Sequence, residues 1–185
     1  MDLLWTPWRY AYVTDKTPSR AGVPAELAAW PGDTGCLFCN MIAATAYAVQ
    51  QGMAPEAADR AVCIVARGPL CFVVLNAYPY ASGHAMIVPY QHLDSLHALP
   101  TPAADELIHW AQRIDTALRD IYHPGGINMG LNLGEAAGAG VAGHLHMHAL
   151  PRWSGDTNFM SVVAETRIMP EDLDTTWQRL HIALT

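Results

Sequence analysis

His144-Leu145-His146-Met147-His148-Ala149-Leu150 places a histidine at every second position. In an extended strand, alternate side chains point to opposite faces, and those on one face follow each other at roughly 6.6 Å. The three histidines then share one face, while the apolar residues between them face a core. Imidazole acts as nucleophile, proton carrier or metal ligand near neutral pH. The stretch therefore predicts a strand carrying chemically active side chains. A purely structural role is disfavoured, because buried imidazoles need partners for both ring nitrogens.

The surrounding sequence predicts an α+β fold. Apolar runs at 62–66, 70–76, 85–88 and 127–133 are typical of strands and are separated by turns rich in Gly and Pro. Apolar residues at three- or four-residue steps predict a long helix over 102–122, and shorter helices are expected at 39–47 and 170–184. Strands joined by short turns beside one long helix favour a largely antiparallel sheet.

Composition narrows the class of ligand. The 185 residues suit one domain with extensions, and the formal net charge of -7 with Lys16 as the single lysine argues against duplex nucleic acid as a partner. A small phosphorylated molecule fits better. No apolar run is long enough to span a bilayer, and the first residues lack a signal-peptide pattern. We therefore expect a cytoplasmic protein without a membrane partner.

Two segments next to the histidines suit an anionic ligand. The Gly- and Ala-rich loop at 134–143 allows close approach of backbone N–H groups, which can form an anion-binding nest. Arg152 and Trp153 follow the strand and are interpreted as an anion clamp and a base-stacking face. A surface cation and a buried aromatic residue are the alternatives. Residues 1–35 carry aromatic residues and prolines without periodicity, which indicates an irregular N-terminal arm whose exposed rings need a surface, such as a second subunit.

The four cysteines are too few for a disulfide scaffold in a chain of this length. Cys63 and Cys71 lie in apolar runs and are interpreted as core residues. Cys36 and Cys39 form a Cys-x-x-Cys pair, a spacing that suits two thiolates on one zinc ion. Reduced thiols without a metal are the alternative.

The residues from about 60 to 160 resemble the histidine triad superfamily of nucleotidyl hydrolases and transferases. The resemblance to the superfamily rests on the stretch 144–150 and on 75–84 and 88–92. Residues 132–134 and 144–159 are most similar to its bacterial diadenosine tetraphosphate phosphorylase branch. It implies a five-stranded antiparallel sheet with one long helix and shorter helices, paired as a homodimer. It also implies a division into an arm at 1–35, a histidine triad domain at 36–160 and a C-terminal extension with a helix at 161–185.

The resemblance assigns catalytic roles to two histidines. His146 would be the nucleophile that attacks an α-phosphorus and forms a nucleotidyl-imidazole. His148 would contact the phosphate and assist charge or proton transfer. The implied substrate contacts are Asn76, His84, Asn132, Ala139, Gly140 and Val141, together with Arg152 and Trp153. The loop departs from many relatives in lacking a Gln and a Ser or Thr hydroxyl, so phosphate contact would rest on backbone donors.

The resemblance also implies a structural zinc site. In zinc-containing relatives, two early cysteines, a histidine after the third strand and the first triad histidine share the ion. The matching residues are Cys36, Cys39, His92 and His144. Such a Cys₂His₂ set is closed and tetrahedral, and it would orient the histidine strand without doing chemistry. No organic cofactor is expected.

The leading hypothesis is an enzyme that cleaves dinucleoside polyphosphates, such as diadenosine tetraphosphate, through His146, with phosphate as the favoured acceptor. The alternative acceptor is water, which would make it a hydrolase of dinucleoside polyphosphates or nucleoside phosphoramidates. Two other classes stay open. A metallohydrolase would use all three histidines as ligands of an open metal site, and a binding module would keep the pocket without catalysis.

Overall fold

A computed structural model describes residues 20–156 and 171–185, so most of the predicted N-terminal arm and residues 157–159 of the resemblance lie outside the described residues. Five strands form one sheet in the order β1-β2-β3-β5-β4, and each pair is antiparallel. The strands are β1 Ile64–Arg67, β2 Cys71–Leu75, β3 Ala85–Pro89, β4 Gly126–Leu131 and β5 Met147–Arg152. The helices are α1 Leu37–Gln50, α2 Pro55–Ala61, α3 Thr101–Tyr122 and α4 Leu173–Leu184. The α+β prediction and the antiparallel sheet are confirmed.

The two faces of the sheet are covered differently. Long helix α3 and helix α4 pack on one face, where Leu107, Ile114 and Leu118 are almost fully buried. Helices α1 and α2 cover β1, β2 and β3 on the other face, around Phe38 and Phe72. Strand β5 lies between β3 and β4 in the sheet, and Phe38 of α1 contacts His144 and His146 just before this strand begins.

Short helix α2 was not predicted, because its seven residues carry too few apolar positions to show a helical period. Its start is set by Pro55 at the first helical position, where a missing N–H costs nothing. Strand β5 also begins later than the predicted 144–150. Ladder pairing starts at Met147 opposite Ile87, and Leu145 donates its N–H to the carbonyl of Leu93 instead.

Helix α4 covers one edge of the sheet, at β1, whereas the edge at β4 has exposed residues. At the β1 edge, the Trp177 indole N–H donates to the Ile64 carbonyl at 2.7 Å, and His181 Nδ1 lies 2.8 Å from the Val65 carbonyl. Helix α4 thereby satisfies edge groups that a neighbouring strand would otherwise pair. Strand β4 forms the other edge, and its residues 128–130 are exposed. No helix in residues 20–156 and 171–185 combines the length and the apolar character needed to cross a membrane.

Candidate active site

The three histidines share one face, as their period of two predicts. Leu145, Met147 and Ala149 are buried on the α3 side of the sheet. His144 and His146 are also buried, with 1% and 4% of their surface exposed, whereas His148 is only partly buried. The ring centroids of His146 and His148 are 4.9 Å apart. The row therefore runs from the interior at His144 toward the surface at His148.

The tautomer of His146 follows from a single contact. Its Nδ1 lies 2.8 Å from the His144 carbonyl, and because a carbonyl only accepts, Nδ1 must carry the proton and donate. In the neutral ring this leaves the lone pair on Nε2. Burial lowers the pKa of His146 below its ordinary value, an effect that the bond to the His144 carbonyl opposes but does not cancel. His146 is thus a neutral imidazole with a free Nε2 lone pair, the form that a nucleophile requires.

His148 is oriented by His84. The Tyr80 backbone N–H donates to His84 Nδ1 at 3.2 Å, so the proton of the neutral His84 ring lies on Nε2. His84 Nε2 is 3.0 Å from His148 Nδ1, which must then accept. The proton of His148 is therefore on its own Nε2. His84, which was predicted to contact substrate, is 1% exposed and contacts His148.

Cys36, Cys39, His92 and His144 come together although up to 108 positions separate them, and one ligand atom from each lies within 4.8 Å of the others. The His144 Nε2–H donates to the Pro89 carbonyl at 2.9 Å, which turns the Nδ1 lone pair toward the two cysteines. His144 Nδ1 is 3.3 Å from Cys36 Sγ and 3.6 Å from Cys39 Sγ, and His92 Nδ1 is 3.4 Å from Cys39 Sγ. The burial of Cys39 beside Cys36 raises the pKa of its thiol to about 11.

These distances fit zinc. A tetrahedral ion with Zn–S near 2.3 Å and Zn–N near 2.0–2.1 Å places sulfur and nitrogen ligands roughly 3.5–3.6 Å apart. The observed sulfur–nitrogen separations of 3.3–3.6 Å lie close to that spacing. A Cys₂His₂ donor set is also one that zinc prefers. The four side chains are therefore suited to hold a closed, four-coordinate zinc ion.

The loop before the histidines uses some of its amides internally. Gly134 and Gly138 adopt positive φ, and Ala139 donates its N–H to the Gly134 carbonyl at 3.3 Å. The amide of Ala139, which was predicted to donate to phosphate, thus donates within the loop. Within residues 20–156 and 171–185, the amides of 140–143 have no protein acceptor. Gly140 and Val141 therefore keep the donors that the sequence analysis assigned to them.

Asn76 and Asn132, the two asparagines predicted to contact substrate, each lie just after a strand. The Asn76 side-chain oxygen accepts from the Tyr78 N–H at 2.9 Å and closes the turn after β2. Asn132 follows β4, one step beyond the pair of Leu131 with Met147, toward His146. Both asparagines are partly exposed.

Arg152 and Trp153, predicted as an anion clamp and a base-stacking face, both contact other parts of the protein. The Arg152 guanidinium pairs with Asp156 and donates to the Asn128 side chain at 2.9 Å, so its charge is already balanced. The Trp153 indole N–H donates to the Tyr122 carbonyl at 3.4 Å, and its ring meets the Tyr122 ring edge-on at the end of α3. Both side chains are thus engaged with the protein itself.

Phe38 is a site residue that the sequence analysis missed. Its ring centroid lies 5.4 Å from that of His144 and 5.2 Å from that of His146. Phe38 is 1% exposed, and it fills the space between the zinc-type cluster and the buried triad histidine. The sequence offers one indication of this role: Phe38 lies between Cys36 and Cys39, so it must lie close to any site that the two cysteines form.

Comparison with known proteins agrees with this geometry. The HIT domain family matches residues 59–155. The chain is 34% identical over 177 residues to a Mycobacterium tuberculosis protein named AP-4-A phosphorylase, covering 94% of this chain and 79% of the relative. It is 29% identical over 140 residues to "Protein hit" of Bacillus subtilis, covering 75% and 86% of the two chains.

A solved structure shares the fold. It is that of a Zn-bound histidine triad family protein from Mycobacterium smegmatis, with a TM-score of 0.57 and 23% identity, covering 80% of this chain and 91% of that one. The family match spans the sheet from the end of α2 through β5, and so includes all three histidines of the row. The chain belongs to the HIT domain family, the histidine triad proteins.

Proposed function

We propose that this protein cleaves dinucleoside polyphosphates, with diadenosine tetraphosphate as the representative substrate, by nucleotidyl transfer through His146 and with phosphate as the favoured acceptor. The observation that carries the proposal is the pair of opposite tautomers on His146 and His148, which stand two residues apart at the start of β5. His146 offers an Nε2 lone pair, and His148 beside it offers an Nε2 proton. One ring can attack while the other donates.

In the first step, His146 Nε2 attacks the α-phosphorus and a P–N bond forms. The bond from that phosphorus to the bridging oxygen breaks, and ATP leaves from diadenosine tetraphosphate. The proton on His148 Nε2 donates a hydrogen bond to the leaving oxygen, where negative charge develops. The AMP moiety remains on His146 until an acceptor oxygen attacks the same phosphorus. Phosphate as acceptor gives ADP, and water gives AMP.

Charge on the non-bridging oxygens needs donors fixed in advance. The amides of 140–143 are supplied by the loop that precedes His144, and they have no acceptor among the described residues. Backbone donors at fixed positions stabilise such charge without reorganising during the reaction. Asn76 and Asn132 are proposed as further substrate contacts, since both are partly exposed. Asn76 follows β2, which pairs with β3, and Asn132 follows β4, which pairs with β5.

The choice of acceptor rests on similarity. The relative that is 34% identical is named AP-4-A phosphorylase, which supports phosphate. Water is the second candidate, because backbone donors alone do not select one acceptor oxygen over another. A metallohydrolase using all three histidines is disfavoured, since His144 Nδ1 faces the cysteines while His146 and His148 have other partners.

The proposed zinc ion would be structural. Cys36, Cys39, His92 and His144 would hold it, and a closed site of this kind contributes folding energy and no open coordination position. Through the two-residue step from His144 to His146, the cluster fixes the backbone carbonyl that sets the His146 tautomer. We also propose a homodimer and the division into an arm at 1–35, a triad domain at 36–160 and an extension at 161–185.

The test is an anion-exchange assay of diadenosine tetraphosphate with and without inorganic phosphate, run beside His146→Ala. ADP with ATP, formed only with phosphate and abolished in the variant, is the expected result. AMP with ATP at equal rates without phosphate would replace the phosphorylase with a hydrolase. Undiminished turnover by His146→Ala would overturn the nucleophile.

A second measurement tests the covalent step. Mass spectrometry of rapidly quenched enzyme should show an increase equal to one AMP moiety, stable in alkali and lost in acid as expected of a P–N bond. His148→Ala serves as the comparison, because it keeps the attacking Nε2 of His146 and should still accumulate the adduct, more slowly. An adduct of the same size in His146→Ala would contradict the assignment.

A further inference from the structure

The turn that carries His84 packs against a partly buried tyrosine, Tyr122. Gly83 has a φ of +80°, and a Cβ at this position would lie 2.8 Å from Tyr122 Cε2 and 3.0 Å from a Leu118 methyl carbon. The turn is closed by the His84 N–H, which donates to the Ala81 carbonyl at 3.2 Å. The backbone of 81–84 thus packs directly against the Tyr122 ring.

Tyr122 is itself held by a residue outside the region that the family matches. Its hydroxyl donates to Glu171 Oε1 at 2.6 Å, and the Thr176 hydroxyl donates to the same oxygen at 2.8 Å. Arg179 pairs with the other carboxylate oxygen at 2.9 Å, and the Glu171 side chain is only 10% exposed. Burial, together with the bond to Glu171, raises the pKa of Tyr122 well above its ordinary value. The carboxylate is therefore fully engaged, and it fixes the phenol from the start of α4.

A small cavity of about 10 Å³ lies between this cluster and the turn. Ser82, His84, Glu171 and Thr176 all line it. The Ser82 hydroxyl is buried and has no hydrogen-bond partner within the described part of the chain. The segment at the start of α4 thus stands directly beside the His84 turn, in addition to reaching it through Tyr122.

We infer that Tyr122, held by Glu171, is a positioning residue for the His84–His148 pair in the proposed nucleotidyl transfer. The route has three contacts: Glu171 fixes the Tyr122 ring, the ring seats Gly83, and the turn orients His84 Nε2 toward His148 Nδ1. The C-terminal extension thereby contributes to the active site without touching substrate. This inference rests on the proposed function for its kinetic consequence only, because the orientation of the two rings is measurable without turnover.

The first readout is the tautomer of the two rings. In ¹⁵N-histidine NMR spectra in mildly alkaline buffer, wild-type His84 and His148 should each show one neutral tautomer with the proton on Nε2. Tyr122→Phe and Glu171→Ala should each give a mixture of tautomers. Glu171→Gln keeps an acceptor oxygen for the Tyr122 hydroxyl and should preserve the wild-type pattern. Tyr47→Phe removes a hydroxyl from the opposite face of the sheet and is the matched control.

The second readout is the split between kcat and KM with diadenosine tetraphosphate and phosphate. Tyr122→Phe and Glu171→Ala should lower kcat about tenfold at unchanged KM, since small misplacements of a reacting group act on the chemical step. Glu171→Gln and Tyr47→Phe should stay at wild-type values. Thermal melts show that each variant is folded at the assay temperature, and the two independent variants keep the test valid if one is not.

A single tautomer in both Tyr122→Phe and Glu171→Ala, with kcat unchanged, would overturn the inference and reduce the cluster to a packing role. Equal loss of kcat in Glu171→Gln and Glu171→Ala would also overturn it, because the acceptor oxygen would then not matter. If wild-type protein does not turn over the substrate, the proposed function fails, while the NMR spectra still decide the positioning role.

Discussion

Substitutions at Phe38 and Phe72 should distinguish the effect of packing against the active-site histidines from the effect of packing in the core. Phe38 and Phe72 lie in the same apolar cluster, at 1% and 0% exposure, where Phe38 makes three ring contacts and Phe72 makes two. Those of Phe72 are with Phe38 at 6.5 Å and with Tyr90 at 5.3 Å, whereas Phe38 also contacts His144 and His146. Replacing either ring by leucine keeps most of the apolar volume and removes the aromatic contacts.

The expected costs at the two positions overlap. Aromatic pairs contribute about 0.5–1.5 kcal/mol each beyond area burial, so the free energy of unfolding should fall by about 1.5–4.5 kcal/mol when Phe38 loses three pairs and by about 1–3 kcal/mol when Phe72 loses two. For a chain of this size, each kcal/mol lowers Tm by about 2–4 °C. Urea titrations and thermal melts followed by circular dichroism would measure both quantities.

The kinetic outcome should differ. Phe38→Leu removes the ring that holds His146 and is expected to lower kcat/KM by about tenfold or more, whereas Phe72→Leu should leave it near the wild-type value. The comparison is made at equal fraction folded, in the assay with diadenosine tetraphosphate. Equal losses of kcat/KM in the two variants would refute the reasoning, because the effect would then follow stability and not contact with the histidines.

Three further outcomes are expected. Cys39→Ser should lower the zinc content, measured by atomic emission, from one ion per chain and should reduce Tm; unchanged zinc would exclude Cys39 as a ligand. Ser82→Ala should raise the free energy of unfolding by about 1–3 kcal/mol in urea titrations, because a buried hydroxyl without a partner is removed, and a loss of stability would show that the hydroxyl is hydrogen-bonded. Asp172 accepts from the Thr175 N–H at 2.7 Å at the start of α4, which lowers its pKa below the ordinary 3.8. The stabilisation that this carboxylate gives the folded chain is therefore present above the ordinary pKa and is lost as pH falls through the lowered pKa. The Tm difference between wild type and Asp172→Ala should then shrink in acid, and a difference that grows would contradict the assignment.

The period-two histidines were enough to predict which side chains share each face around β5, because side-chain alternation is a local property of the backbone. The long helix was predicted to within a residue for the same reason, since its apolar stripe repeats over 22 residues. Short helix α2 carries no such repeat. Its position is set by packing on the sheet.

The site itself was only partly predictable. The ligand types of Cys36, Cys39, His92 and His144 were visible, but their meeting depends on pairing across the whole sheet, and only the family resemblance joined them. The contact of His84 with His148 was not predicted, because it depends on the turn at 81–84 that directs the His84 ring inward. The role inferred for Glu171 could not be read from its sequence neighbours, since Tyr122 is 49 positions away.

The cover on one edge of the sheet has a consequence for self-association. Helix α4 occupies the carbonyls of Ile64 and Val65 and so blocks strand addition at β1, whereas within residues 20–156 and 171–185 no strand pairs with the outer edge of β4. Two copies that join β4 to β4 around a two-fold axis use up the available edge of both. Growth by backbone pairing then stops at two, and a filament cannot form by this route. In such a pair, the contacts of the Trp177 indole and the His181 imidazole with β1 would keep a third chain from joining at that edge.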